Sequence, residues 1–148
     1  MSTKTPQFFF GEQQLTPGKA LAMARGRLRG DLSEQTRLKV RSSQQAVADI
    51  VARGIPVYGV NTGFGPLCTT RISAEDTERL QVNILKSHSV GVGTPVREEI
   101  ARLMLILKVQ ALSQGFSGVS EATLERILWH IDQGVTPYVP SQGSVGAS

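Results

Sequence analysis

Cysteine is almost missing from this chain: Cys68 is the single one among 148 residues. One thiol cannot close an intrachain disulfide, and no zinc cluster can be built from thiolates around it. Its neighbours carry no catalytic signature, so Cys68 reads as a packing residue, and no metal site is expected. Aromatic residues are scarce at 5% and do not alternate with the basic ones. A nucleic-acid or membrane patch is therefore disfavoured, and the basic surface is read as solvated or subunit-facing. Long apolar runs are absent too, the longest being Leu103 to Leu107, far short of a membrane span. Met1-Ser2-Thr3-Lys4-Thr5 lacks the apolar stretch of a signal peptide, and Phe8 to Phe10 is too short to supply one. A reducing, cytoplasmic setting follows as the default.

What is present is the composition of an ordinary globular protein, 40% hydrophobic and 19% charged, at a length that buries a real core. The net charge of +4 is unevenly placed. Residues 1–53 hold nine Lys/Arg against four Asp/Glu, and the remainder seven against eight. Arg25, Arg27 and Arg29 form the densest basic group.

Periodicity and caps predict a mainly α fold with a small β-hairpin near the N-terminus. Phe8 to Phe10 and Gln13 to Leu15 flank Gly11-Glu12, the hairpin signal. Thr16-Pro17 opens a short helix through Ala20, Leu21 and Ala24. Asp31 caps a second helix with Glu34 in capping-box position, and Ala46, Val47, Ile50 and Val51 form its packing stripe before Gly54 and Pro56 close it. Ser73 starts a third helix that carries Leu80, Ile84, Leu85 and His88 on one face. Thr94-Pro95 opens a fourth, so nearly apolar from Ile100 to Leu112 that burial on all sides is expected, by more protein than this chain contains. Ser120 caps a fifth, with Leu124, Ile127, Leu128 and Ile131 inward and Gly134 as its stop. Val135 to Pro140 runs extended into the terminal glycines.

Three stretches can carry chemistry. Residues 57–66, with three glycines and a proline, form a shaped loop that displays Tyr58. That tyrosine is either a turn anchor or a phenolic acid or base. His88 sits where a helix ends beside Gly91 and Gly93, and is either a core residue or a hydrogen-bonding partner for a substrate ring. His130, next to Trp129, has no such glycine setting and reads as packing or surface. Gly63-Phe64-Gly65 is not a phosphate loop, since neither the Lys-Ser/Thr pair nor the third glycine follows. The third stretch, Gly143-Ser144-Val145-Gly146-Ala147-Ser148, is small enough to curl tightly. It is either a flexible tail or the start of a backbone cyclisation. In the latter, the nitrogen of a glycine after Ser148 attacks the Ala147 carbonyl, and water is lost from the ring and from the serine.

Taken together, Tyr58-Gly59-Val60-Asn61-Thr62-Gly63-Phe64-Gly65, Ser87-His88 before Gly91-Val92-Gly93, Gly115-Phe116-Ser117-Gly118 and the terminal six residues closely resemble the N-terminal part of the aromatic amino acid ammonia-lyases, in particular those acting on histidine. The resemblance covers most of residues 10–148. It implies a helical homotetramer whose active sites draw on more than one subunit. It also implies a 4-methylidene-imidazole-5-one cofactor made from an Ala-Ser-Gly triad, of which Ala147 and Ser148 match the first two members. Tyr58 matches the tyrosine that takes the β-proton, and His88 a position that contacts the substrate ring. The implied reaction removes ammonia from L-histidine to leave trans-urocanate, the first step of histidine degradation.

On this reading residues 1–148 are the N-terminal segment of a larger lyase, with the catalytic loop at 57–66 and the cofactor-forming segment beginning at 143–148. The chain alone is expected to be inactive, the third triad residue being absent, and its remaining partners are the rest of its own polypeptide and a small amino acid. A tyrosine ammonia-lyase or a tyrosine 2,3-aminomutase fits the same residues. From a different class, so does a non-catalytic helical assembly module.

Overall fold

The computed structural model describes residues 5–63 and 72–143. Cys68, the end of the loop from Phe64 onward, and Ala147 and Ser148 lie outside the described residues. The described chain is mainly α, with β1 (Gln7–Phe10), α1 (Pro17–Ala24), β2 (Arg29–Leu32), α2 (Glu34–Ala52), α3 (Ala74–His88), β3 (Val92–Pro95), α4 (Glu98–Leu112), α5 (Glu121–Gln133) and β4 (Pro140–Gln142) in order. It divides into two compact units, residues 1–46 with 95–139, and residues 47–94 with 140–148.

In the first unit the expected hairpin is replaced by a parallel pair. β1 lies beside β2 with Gln7 opposite Arg29 and Phe10 opposite Leu32, and α1 makes the crossover. Gln13 to Leu15 is not a strand; the Gln13 amide instead turns back to the Phe9 carbonyl at 3.1 Å. β2 was hard to foresee because Arg-Gly-Asp-Leu has no β-branched residue. Its glycine is the reason it fits, since a Cβ at Gly30 would fall on the Phe10 ring. Phe8 and Phe10, both 1% exposed, then stack edge to face at 5.2 Å and seed the core.

That core is closed by Ala20 and Met23 of α1, Val40 of α2, Ile106 and Val109 of α4, and Leu124, Leu128 and Ile131 of α5. α4 packs against both α1 and α5. The composition of α4 predicts burial on all sides by more protein than this chain contains; within the chain itself Ala101, Ile106 and Val109 face inward, while Met104 and Leu107 are about half exposed. Its start differs, because Thr94-Pro95 belongs to β3 and Arg97 is the N-cap.

The other helix starts follow local chemistry. The Thr16 hydroxyl accepts from the Lys19 amide with Pro17 in the first turn, Ser73 accepts from Asp76, and Ser120 from Thr123. Gly134, at φ 66°, ends α5 in the left-handed conformation. α2 begins two residues later than a cap at Asp31 allows. Asp31 is taken into β2, and Ser33 caps instead, accepting from the Thr36 amide at 3.1 Å. Ion pairs tie the starts of α2 and α5: Arg37 binds Glu121 and Glu125, and Arg41 binds Glu34 and Glu121. Those carboxylates, Glu121 first and Glu125 next, raise the Arg37 pKa above its already high value.

The second unit holds the C-terminal part of α2, the loop after it, α3 and the two-stranded sheet of β3 with β4. The expected packing stripe of α2 is only half buried at Val47, Ile50 and Val51, and Ala46 is exposed. The buried positions of α2 are Thr36 and Val40, near its other end. On α3, Leu80 and Ile84 are half buried, whereas Leu85 is 69% exposed.

Candidate functional site

Tyr58, His88 and Gly143 all belong to the second unit. The loop carrying Tyr58 leaves α2 through Gly54, at φ 74°, and makes a turn in which the amides of Val60 and Asn61 both reach the Val57 carbonyl, at 3.0 and 3.2 Å. Gly59, directly after the tyrosine, also has φ 74°, a conformation that explains a glycine there. Asn61 and Thr62 turn inward, 7% and 0% exposed, while Tyr58 stays 60% exposed. The Asn61 carboxamide accepts from the Val57 amide at 2.6 Å and donates to the Ile55 carbonyl at 3.1 Å. The Thr62 hydroxyl accepts from the Gly59 amide at 3.3 Å and donates to the Gly63 carbonyl at 3.0 Å. The Asn61 carbonyl in turn accepts from Ile72 at 3.0 Å, tying the loop to the start of α3.

His88 is the last residue of α3 and is exposed rather than a core histidine. Its Nδ1 lies 2.9 Å from the Ser87 hydroxyl and 3.1 Å from the Ile84 carbonyl. A carbonyl can only accept, so the contact with Ile84 fits a proton on Nδ1. In that tautomer Nε2 is the ring's acceptor. The Ser87 hydroxyl donates to the same carbonyl at 3.2 Å, which leaves its oxygen able to receive Nδ1–H.

The terminal glycine-rich segment enters beside this helix end. A Cβ at Gly143, whose φ is 112°, would lie 2.7 Å from the Val90 carbonyl oxygen and 2.8 Å from the Gly91 Cα. A Cβ at Gly91 would meet the Pro140 ring at 2.6 Å. The glycines expected to open space for a ligand therefore let two backbone segments touch. Gly143 thus lies against backbone two residues beyond His88, at a point where a side chain does not fit. His130 is partly buried, stacks edge to face on Trp129 at 5.1 Å and places Nδ1 3.1 Å from the Val135 carbonyl, in the other unit and in a structural setting.

Asn61 and Thr62 were visible in the sequence only as letters of a motif. The available signal was an Asn three residues after the tyrosine inside a glycine turn, where short polar side chains bond nearby backbone.

Comparison with known proteins bears on this unit and on the whole chain. The family model described as aromatic amino acid lyase matches residues 15–148. A histidine ammonia-lyase of Geobacillus thermodenitrificans is 49% identical over 109 residues, covering 74% of this chain and 22% of that protein. Among solved structures, the histidine ammonia-lyase of Trypanosoma cruzi superposes with a TM-score of 0.83 at 34% identity, over 95% of this chain and 27% of the other. A tyrosine aminomutase of Streptomyces globisporus gives 0.85 at 31% identity, over 94% and 26%. The chain thus spans about a quarter of the length of the relatives it matches.

Proposed function

The chain belongs to the aromatic amino acid lyase family, and from that premise we propose that it is the N-terminal segment of a carbon–nitrogen lyase that eliminates ammonia from L-histidine to give trans-urocanate. The observation that carries the proposal is the loop at 57–63, which buries Asn61 and Thr62 and holds Tyr58 outward on a hydrogen-bonded turn. A phenol so displayed is placed to meet a substrate rather than to fill a core.

In this reading the Tyr58 oxygen takes a proton from the substrate's β-carbon, the electrons left behind form the double bond, and ammonia departs from the α-carbon. The methylidene-imidazolone, formed from Ala147, Ser148 and a following glycine, supplies the electrophile that makes the amine a better leaving group. His88 presents Nε2 as an acceptor to the N–H of an imidazole ring, and Ser87 with the Ile84 carbonyl holds it in that tautomer. Both groups must flank one small molecule, so their placement matters as much as their reactivity.

The partners are the amino acid, the remainder of the polypeptide and further copies of it in a homotetramer. The half-exposed Met104, Leu107 and Val82 and the more exposed Leu85 are the surfaces such neighbours would cover. A cytoplasmic setting accords with this chemistry; among the described residues no helix is long and apolar enough to cross a membrane.

Steady-state assay of the full-length enzyme tests the substrate: urocanate from histidine is expected, and turnover of tyrosine with none of histidine overturns it. The second reading, a tyrosine aminomutase, is favoured by the superposition on such an enzyme and is recognised by a β-amino acid product. His88→Phe should lower the preference for histidine over phenylalanine by about tenfold or more, the scale of one lost polar contact; unchanged preference refutes the role given to His88.

A further inference from the structure

We propose that Asn61, assisted by Thr62, is a positioning residue for Tyr58, a role that rests on the elimination described above. The two amides that flank the tyrosine are both claimed by side chains. Val57 N–H goes to Asn61 Oδ1 at 2.6 Å, and Gly59 N–H to Thr62 Oγ1 at 3.3 Å. Both side chains are buried, at 7% and 0% exposure, and both use their remaining polar atoms on backbone, Asn61 Nδ2 on the Ile55 carbonyl and the Thr62 hydroxyl proton on the Gly63 carbonyl.

Each interaction is costly to break from one side. An amide left without its acceptor loses the hydrogen bond that fixes its direction, so removing either side chain frees a backbone group that then seeks another geometry. The turn is only a few residues long and Gly59 already has positive φ. Motion of the Val57 or Gly59 peptide is therefore transmitted directly to the Cα of Tyr58. A displacement near 1 Å is enough to cost a reaction about a hundredfold. The clamp touches no substrate; it sets where the phenol stands.

The test uses the full-length, cofactor-loaded enzyme and three variants, Asn61→Ala, Thr62→Val and Thr62→Ser. In Asn61→Ala and Thr62→Val, kcat should fall about tenfold or more with KM changed by less than about threefold, because the loss is in the transition state and not in substrate binding. The pH dependence of kcat should shift, since the base then works in an altered setting. Thr62→Ser, which keeps the hydroxyl, should restore kcat. Independently of activity, amide exchange should quicken at Val57 in Asn61→Ala and at Gly59 in Thr62→Val, while near-ultraviolet absorbance of the cofactor stays. If Asn61→Ala does not fold, the Thr62 pair decides the matter alone. Folded, loaded variants with wild-type kcat beside an inactive Tyr58→Phe would overturn the clamp and leave the elimination standing. A fully active Tyr58→Phe would overturn both.

Discussion

In the first unit the side chains withdrawn from water are chiefly Phe8, Phe10, Met23, Ile106, Val109 and Leu124; in the second, among the described residues, they are Asn61 and Thr62. One unit is held by apolar packing between β1, α1, α4 and α5, which is non-directional and tolerant. The other places its loop by hydrogen bonds, which fix direction and distance. What the contrast teaches is a division of labour within 148 residues. Apolar packing dominates the first unit, though Thr36 there also donates to the Phe10 carbonyl, and in the second the buried side chains are the ones proposed to set the geometry of the site. Every candidate site residue that the structure describes falls in the second unit.

Tyr58→Phe gives the largest expected effect and cuts the two properties apart. In the full-length enzyme turnover should be abolished, by a factor of at least about a thousand, since the hydroxyl is the proposed base. The urea midpoint should hardly move, the change lying within about 0.5 kcal/mol for an exposed side chain, and cofactor absorbance should persist. A variant that turned over normally, or that lost the cofactor, would break the comparison.

Ile106→Ala works from the opposite side. Ile106 is fully buried in the first unit, and its truncation should cost about 2–5 kcal/mol in chemical denaturation. Under conditions where the variant is folded, kcat should be near wild type. A stability loss below about 1 kcal/mol would mean that the site is less tightly packed than the fold implies.

Glu99→Gln is the smallest and sharpens the picture at the surface. Arg25 hydrogen-bonds Glu99 at 2.7 Å and thereby lowers its carboxyl pKa below the usual range. A carboxyl lowered in the folded state contributes stability above its unfolded pKa and loses it as pH falls through the folded one. Wild type should therefore exceed Glu99→Gln slightly at neutral pH, with the difference vanishing in acid. A difference that grew on acidification would contradict the assignment.

Much of this division was legible in the letters. Thr16-Pro17, Ser73, Ser120 and Gly134 announce helix ends because a cap is a local bond between neighbours in sequence. Leu124, Leu128 and Ile131 announce their buried face for the same reason of period. The misreadings arose where partners are remote. β2 becomes a strand because Phe10 lies against Gly30, and Asp31 is lost to α2 because the sheet takes it. Thr94-Pro95 has the letters of a helix start, yet pairing with β4 draws it into β3. Within the site, Tyr58 and His88 could be picked out by the stretches around them. The bonds of Asn61 and Thr62 had only the weaker signal of short polar residues inside a glycine turn, since their burial depends on how the whole loop folds back.

The central proposal is that Ala147 and Ser148, with a following glycine, become the electrophile of the elimination for which Tyr58 is the proposed base. Mass spectrometry of the peptide spanning Ala147 and Ser148 from the full-length protein tests it most directly. The account predicts a peptide lighter than its encoded sequence by two waters, one from ring closure and one from the serine. A peptide of unaltered mass would contradict it.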